Sequence, residues 1–181
     1  MKKNIFIYSL LILGMGFIAC HAKGGKQVRQ TCPTDSLIYK ELGKSLTEVL
    51  FSPSRVRCFS VKNVASPQAD DLAFDPNFVR DTLIMKLSGQ EQAILQYILL
   101  SNTDNYHIDN PKVRSPYFPN LAFEFKKGKR IAYVLISTSD YSWSVYYDDK
   151  VQFNYNYTDR NIIERFCNYY LQLKNNGEQK K

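Results

Sequence analysis

His107 is the residue best suited by type to acid–base chemistry, and the only other histidine is His21. It lies in a polar stretch, Asp104-Asn105-Tyr106-His107-Ile108-Asp109, where Asp104 or Asp109 could orient it as a general base. Hydrolysis through such a base also needs a nucleophile, and the chain has no Gly-x-Ser-x-Gly elbow or comparable signature. His107 therefore reads as a solvated loop histidine. The oxygens of Asp104, Asn105, Asp109 and Asn110 lack the alternate spacing and late glutamate of a calcium loop. Asp70-Asp71 and Asp148-Asp149 are adjacent carboxylates in turn-like sequence, where aspartate serves the backbone. Gly43, Gly89 and Gly128 are isolated, so there is no phosphate loop. No catalytic residue, metal site or cofactor is expected.

The cysteines say more. Lys2 and Lys3 precede an uncharged run from Ile5 to Ala19, IFIYSLLILGMGFIA. That run is shorter than the roughly 20 residues that span a bilayer and has the length of a signal-peptide core. It ends in Phe17-Ile18-Ala19-Cys20. The ending resembles the lipobox of bacterial lipoproteins, with a small residue before an obligatory cysteine and with Phe17 where leucine is usual. The resemblance implies that the Cys20 thiol receives a diacylglyceryl group, that the chain is cut before Cys20, and that the new amine takes an acyl chain such as palmitate. Two or three chains anchor stably, since each buried CH₂ contributes about 0.8 kcal/mol.

Surface-exported lipoproteins of the Bacteroidetes carry an acidic stretch after the cysteine, and His21-Ala22-Lys23-Gly24-Gly25-Lys26 lacks it. The resemblance therefore implies a periplasm-facing protein. His21 is not the aspartate that retains lipoproteins at the inner membrane, so the outer membrane is expected over the inner membrane or the cell surface. Asp35-Ser36-Leu37 and Asp81-Thr82-Leu83 resemble the Bacteroidetes O-glycosylation acceptor, which marks Ser36 and Thr82 as candidate glycan sites, provided they are exposed.

The formal net charge is +7. Its excess sits in the leader, in the tether through Lys23, Lys26 and Arg29, and in the tail Lys174-Asn175-Asn176-Gly177-Glu178-Gln179-Lys180-Lys181, whereas Gln30 to Leu173 is balanced. A nucleic-acid binder concentrates its excess on a folded face, so that class is excluded. A basic tether suits anionic headgroups. Three thiols remain after lipidation. Cys167 falls on an apolar stripe and reads as core. A Cys32–Cys58 bridge stays open: a helix over 35–51 spans about 25 Å, the next strand returns about 15–20 Å, and a disulfide needs Cα atoms within about 7 Å.

Apolar spacing predicts helices near 35–51, after Ser88 and after Thr158. The Ser88/Glu91 pair forms a capping box, followed by a stripe of Ala93, Ile94, Tyr97, Ile98 and Leu100. Thr158 is read as a cap for the last helix. Strands are predicted at Arg55–Val61, Thr82–Leu87, Leu121–Phe125, Ile131–Thr138, Trp143–Tyr147 and Val151–Tyr157, with loops over Ser66–Asn77 and Asn102–Pro119. The order implies an α+β domain in which an antiparallel β-meander sheet carries helices mainly on one face. The organisation is a signal peptide (1–19), a flexible basic tether (20–33), one domain (34–173) and a disordered tail (174–181). Tyr117-Phe118-Pro119-Asn120-Leu121-Ala122-Phe123 and the strands after it resemble small bacterial lipoproteins without an assigned activity.

The functional expectation is a lipid-anchored, non-catalytic binding module. On the strands near Tyr141–Tyr157 one face must cover the helices. The leftover face carries Ser142, Ser144, Tyr146, Gln152, Asn154 and Asn156, whose hydroxyls and amides suit an envelope protein or glycan partner. The alternatives are an envelope hydrolase using dispersed carboxylates, which leave no local motif, and an immunity- or inhibitor-type protein.

Overall fold

The structure, a computed structural model, describes residues 35–75, 77–106 and 117–178. Cys20, Cys32, His107, Asp109 and Asn110 lie outside the described residues, as do the leader and tether.

Asp35 starts the first helix by accepting the Leu37 N–H at 2.7 Å, the bond an N-cap supplies. Helix α1 (Ser36–Phe51) buries Ile38, Leu42, Leu46, Val49 and Leu50. It is two pieces rather than the single rod that the spacing predicts. Gly43 stands at φ 72° and ψ 166°, a conformation open essentially only to glycine, and the helix kinks there.

Strand β1 (Arg55–Asn63), a three-residue β2 (Ala73–Asp75) and β3 (Phe78–Lys86) follow. β2 lies inside the stretch expected as loop; it pairs with β3 through Ala73↔Val79 and Asp75↔Phe78. The Ser88–Glu91 capping box is present, with Glu91 N–H on Ser88 Oγ at 3.2 Å and Ser88 N–H on Glu91 Oε2 at 2.7 Å. It opens α2 (Gly89–Leu95), which runs into a π turn over Gln96–Leu100. The wider turn shifts the phase of the side chains, which corrects the expected stripe: Leu95, Leu99 and Leu100 are buried, and Tyr97 is 73% exposed.

Strands β4 (Leu121–Lys127), β5 (Arg130–Ser137), β6 (Ser142–Tyr147) and β7 (Lys150–Asn156) form the expected meander. Asp148 (φ 51°) and Asp149 (φ 57°) are the two central residues of the β6–β7 turn, the type I′ geometry that matches strand twist. Helix α3 (Arg160–Glu178) continues to Glu178, into the segment expected as a disordered tail. Its amphipathic pattern carries it past Leu173, and Lys174 reaches Asp81 at 3.9 Å.

Among the described residues seven strands, all antiparallel, run in the order β2-β3-β1-β4-β5-β6-β7. The fold is therefore α+β, a meander sheet with its helices on one face. α1 packs on β4 and β5, and α3 packs on β1 and β3. Between them lies the main core, which includes Val56, Cys58, Phe123, Phe125, Val134, Trp143 and Tyr155. Trp143 meets Tyr106 edge-on at 5.2 Å, and Phe153 stacks on Tyr155 at 4.7 Å; such pairs add about 0.5–1.5 kcal/mol beyond burial. On the opposite face a smaller cluster joins Phe59, Phe74, Ala122, Tyr133 and Leu135. Phe74, on edge strand β2, reaches Tyr133 (5.1 Å) and Tyr146 (5.5 Å), so the sheet curls nearly into a barrel around that cluster.

Candidate functional site

Alternation along β1 sends Val56 and Cys58 into the helix-covered core and sends Arg55, Arg57 and Phe59 to the other face. In β4, Phe123 and Phe125 take the core side, and Glu124 and Lys126 take the other. Registry then builds one row across four ladders: Lys86 opposite Arg57, Arg57 opposite Glu124, Glu124 opposite Tyr133, and Tyr133 opposite Tyr146. In the neighbouring row Arg55 faces Lys126.

Glu124 is the centre of this arrangement. Its side chain is 1% exposed. Arg57 donates Nε to Oε1 at 2.8 Å and Nη2 to Oε2 at 2.7 Å. Arg55 Nη2 donates to Oε1 at 3.2 Å, the Tyr133 hydroxyl donates to Oε2 at 3.2 Å, and Arg80 Nη1 lies 3.7 Å from Oε2. Burial alone would raise the Glu124 carboxyl, but the Arg57 hydrogen bonds and charge, with Tyr133 and Arg55, outweigh it and hold it below the usual carboxylate range. Burial first, and then the Glu124 charge, push the Tyr133 phenol up.

The charges around Glu124 do not balance. Three guanidiniums against one carboxylate leave a surplus of two positive charges. Lys86 and Lys126 add to it, each directly opposite an arginine, and like charges facing each other across a ladder are destabilising. Arg55, Arg57 and Arg80 keep side-chain exposures of 35%, 28% and 34%. The planes of Arg57 and Arg80 are held in place from below: the Phe59 ring lies 5.0 Å from the Arg57 guanidinium carbon and 4.9 Å from that of Arg80, attractive contacts worth about 0.5–1 kcal/mol each. Arg55 Nε is buried with no hydrogen-bond partner among the described residues. The cluster can present fixed, forked N–H donors to an anion.

Of the residues expected to form a binding face, Ser142, Ser144, Tyr146, Asn154 and Asn156 lie on the same side of the sheet but do not form an open surface, and Gln152, displaced by the register shift, is exposed beside Leu46 and Tyr147 on the α1 side. Ser142 and Ser144 are buried, and the Tyr117 hydroxyl is hydrogen-bonded to Ser144 Oγ. Tyr146 packs on Phe74. Asn156 Nδ2 donates to the Asp140 carbonyl at 3.2 Å, and Gln152 Nε2 to the Tyr147 carbonyl at 2.6 Å. Asn154, opposite Ser144, is partly exposed. The reason for the cover is the aromatic segment after Arg114-Ser115-Pro116: Tyr117 lies over the smaller cluster. A register shift between Val145 and Tyr146 turns Val151 outward, to 39% exposure.

Other expectations resolve locally. Asn105, weighed as a calcium ligand, is fully buried. Its Nδ2 donates to the Leu99 carbonyl at 3.0 Å and its Oδ1 accepts from the Thr158 N–H and hydroxyl at 2.9 and 3.1 Å. Thr158 thus ties the chain to Asn105 instead of capping α3, which begins two residues later. Asp148-Asp149 is a turn, not a carboxylate pair. Cys58 and Cys167 are buried free thiols, and burial pushes Cys167 up to about 12. Ser36 and Thr82 are both exposed. Among the described residues no three His, Cys, Asp or Glu side chains gather as metal ligands would.

Sequence reasoning missed the arginine row. Its available signal was Arg55-x-Arg57 on a strand, a spacing that puts both guanidiniums on one face. No protein-family model, curated protein or solved structure matches the chain.

Proposed function

We propose that this chain is a lipoprotein of the cell envelope, held through Cys20 at the outer membrane with its domain facing the periplasm, that binds an anionic partner and performs no catalysis. The observation that carries the binding reading is the uncompensated charge around Glu124. A structural ion pair needs one guanidinium for one carboxylate. Here three converge, and two lysines face two of them across the ladders. An arrangement that costs folding energy and stays about one-third exposed suits recognition better than scaffolding.

The binding reading is tested by chemical crosslinking in native membranes, comparing the parent with Arg55→Gln/Arg80→Gln. The double variant, folded by its melting curve, is expected to lose crosslinked species; retention of all of them rejects this face. The anchor is tested by mass spectrometry of the membrane-extracted protein. An amino-terminal Cys20 carrying diacylglycerol and an acyl chain is expected, and an unmodified terminus elsewhere rejects the anchor.

A further inference from the structure

We propose that Arg55, Arg57 and Arg80 bind a phosphate dianion, presented by the partner as a phosphomonoester. The inference rests on the reading of this face as a binding surface and names the chemistry that the surface takes.

The charge arithmetic points to a dianion. Counted over the groups that converge on Glu124, with the flanking Lys86 and Lys126 left out, three guanidiniums less one carboxylate leave a surplus of two positive charges, and a phosphomonoester carries about −1.5 to −2 at neutral pH with three acceptor oxygens. A carboxylate ligand would supply one charge and two oxygens, leaving part of the surplus standing.

The donors are also available. Glu124 takes Nε and Nη2 of Arg57 and Nη2 of Arg55, and the Tyr133 oxygen takes Nη1 of Arg80 at 3.2 Å. Among the described residues no acceptor takes Arg55 Nη1, Arg57 Nη1 or Arg80 Nη2. At least one N–H group per arginine therefore remains for a phosphate oxygen, and guanidinium forks suit phosphate. Glu124 and Phe59 hold the forks before any ligand arrives, which lowers the ordering cost of binding. Lys86 and Lys126 flank the cluster and deepen the local positive potential.

The test titrates the full chain in detergent micelles by calorimetry, at constant ionic strength. The first probes are inorganic phosphate, sulfate and acetate. Phosphate is expected to bind at one site and to tighten as pH rises from about 6 to about 8, because its second proton leaves near 7, about a unit above that of a phosphomonoester. Sulfate, already a dianion, is expected to stay level. Glu124 lies below and Tyr133 above their usual ranges, so neither changes charge in that window. Arg80→Gln is expected to weaken phosphate about tenfold or more, and Arg80→Lys, which keeps the charge and loses the fork, to recover only part. Phosphate binding no tighter than acetate, or unchanged in Arg80→Gln, overturns the proposal.

A second arm separates the sources, using a sugar phosphate and phosphatidylcholine vesicles with phosphatidic acid. Binding to either supports the shared chemistry and identifies its carrier; binding to neither overturns it. If phosphate fails while Arg55→Gln/Arg80→Gln still removes the crosslinks, the phosphate assignment falls and the binding face stands. If both fail, the face falls too.

Discussion

Arg57 grips both carboxylate oxygens of Glu124, at 2.8 and 2.7 Å, from the directly opposed position of the neighbouring strand. The carboxylate is 1% exposed, so water cannot replace a lost partner. Removing one member of a buried pair costs about 3–5 kcal/mol. Glu124→Gln is expected to lose that much in urea unfolding, since three guanidiniums would then face one another without a counter-charge. A loss below about 1 kcal/mol would give the pair the weight of a surface ion pair.

The same pair sets an acid limit. Because the folded Glu124 carboxyl lies below its usual range, its contribution is complete above the unfolded glutamate value of about 4.3 and is lost as pH falls through the lower folded value. The melting temperature of the parent is expected to drop on acidification below about pH 4. Glu124→Gln is expected to show a flatter profile there. Equal slopes in the two proteins would contradict the assignment.

Gly43→Ala tests the kink in α1. No neighbour obstructs a methyl group at this position, so space is not the issue. The backbone at φ 72°, ψ 166° is, and an L-residue held there costs about 1–3 kcal/mol. That destabilisation is expected by thermal unfolding, although alanine is the better helix former.

Asp149→Gly tests the β6–β7 turn. Both central residues have positive φ, and glycine at the second position is the favoured choice for a type I′ turn. The variant is expected to gain about 0.5–1 kcal/mol. A loss would mean that the Asp149 carboxylate has a role beyond the turn.

The meander was legible because β4, β6 and β7 alternate, β5 is a continuous apolar run and the turns are short, and the Ser88–Glu91 box was legible because both halves lie within one helical turn. What the sequence concealed depends on longer range. The π turn after Leu95 shifts the helical phase without any local sign, so the spacing puts Tyr97 inward and the structure puts it outward. β2 has three residues and exists only because β3 offers an edge. The arginine row draws on positions 57, 86 and 124, brought together by registry. Charge summed along the chain balanced over the body, but charge across one face does not. Five of the six residues expected as a surface, all but Gln152, lie on the expected side of the sheet, and Tyr117, distant in sequence, covers part of them.

The claim that the positive surplus serves recognition rather than the fold is tested most directly by the stability of Lys86→Gln/Lys126→Gln in urea. Both lysines stand directly opposite arginines. If their charge is kept for a ligand, neutralising it relieves repulsion, and unfolding free energy is expected to rise by about 0.5–1 kcal/mol, with the gain shrinking at high salt. A fall in stability would show that the lysines hold the sheet together and would contradict the recognition reading.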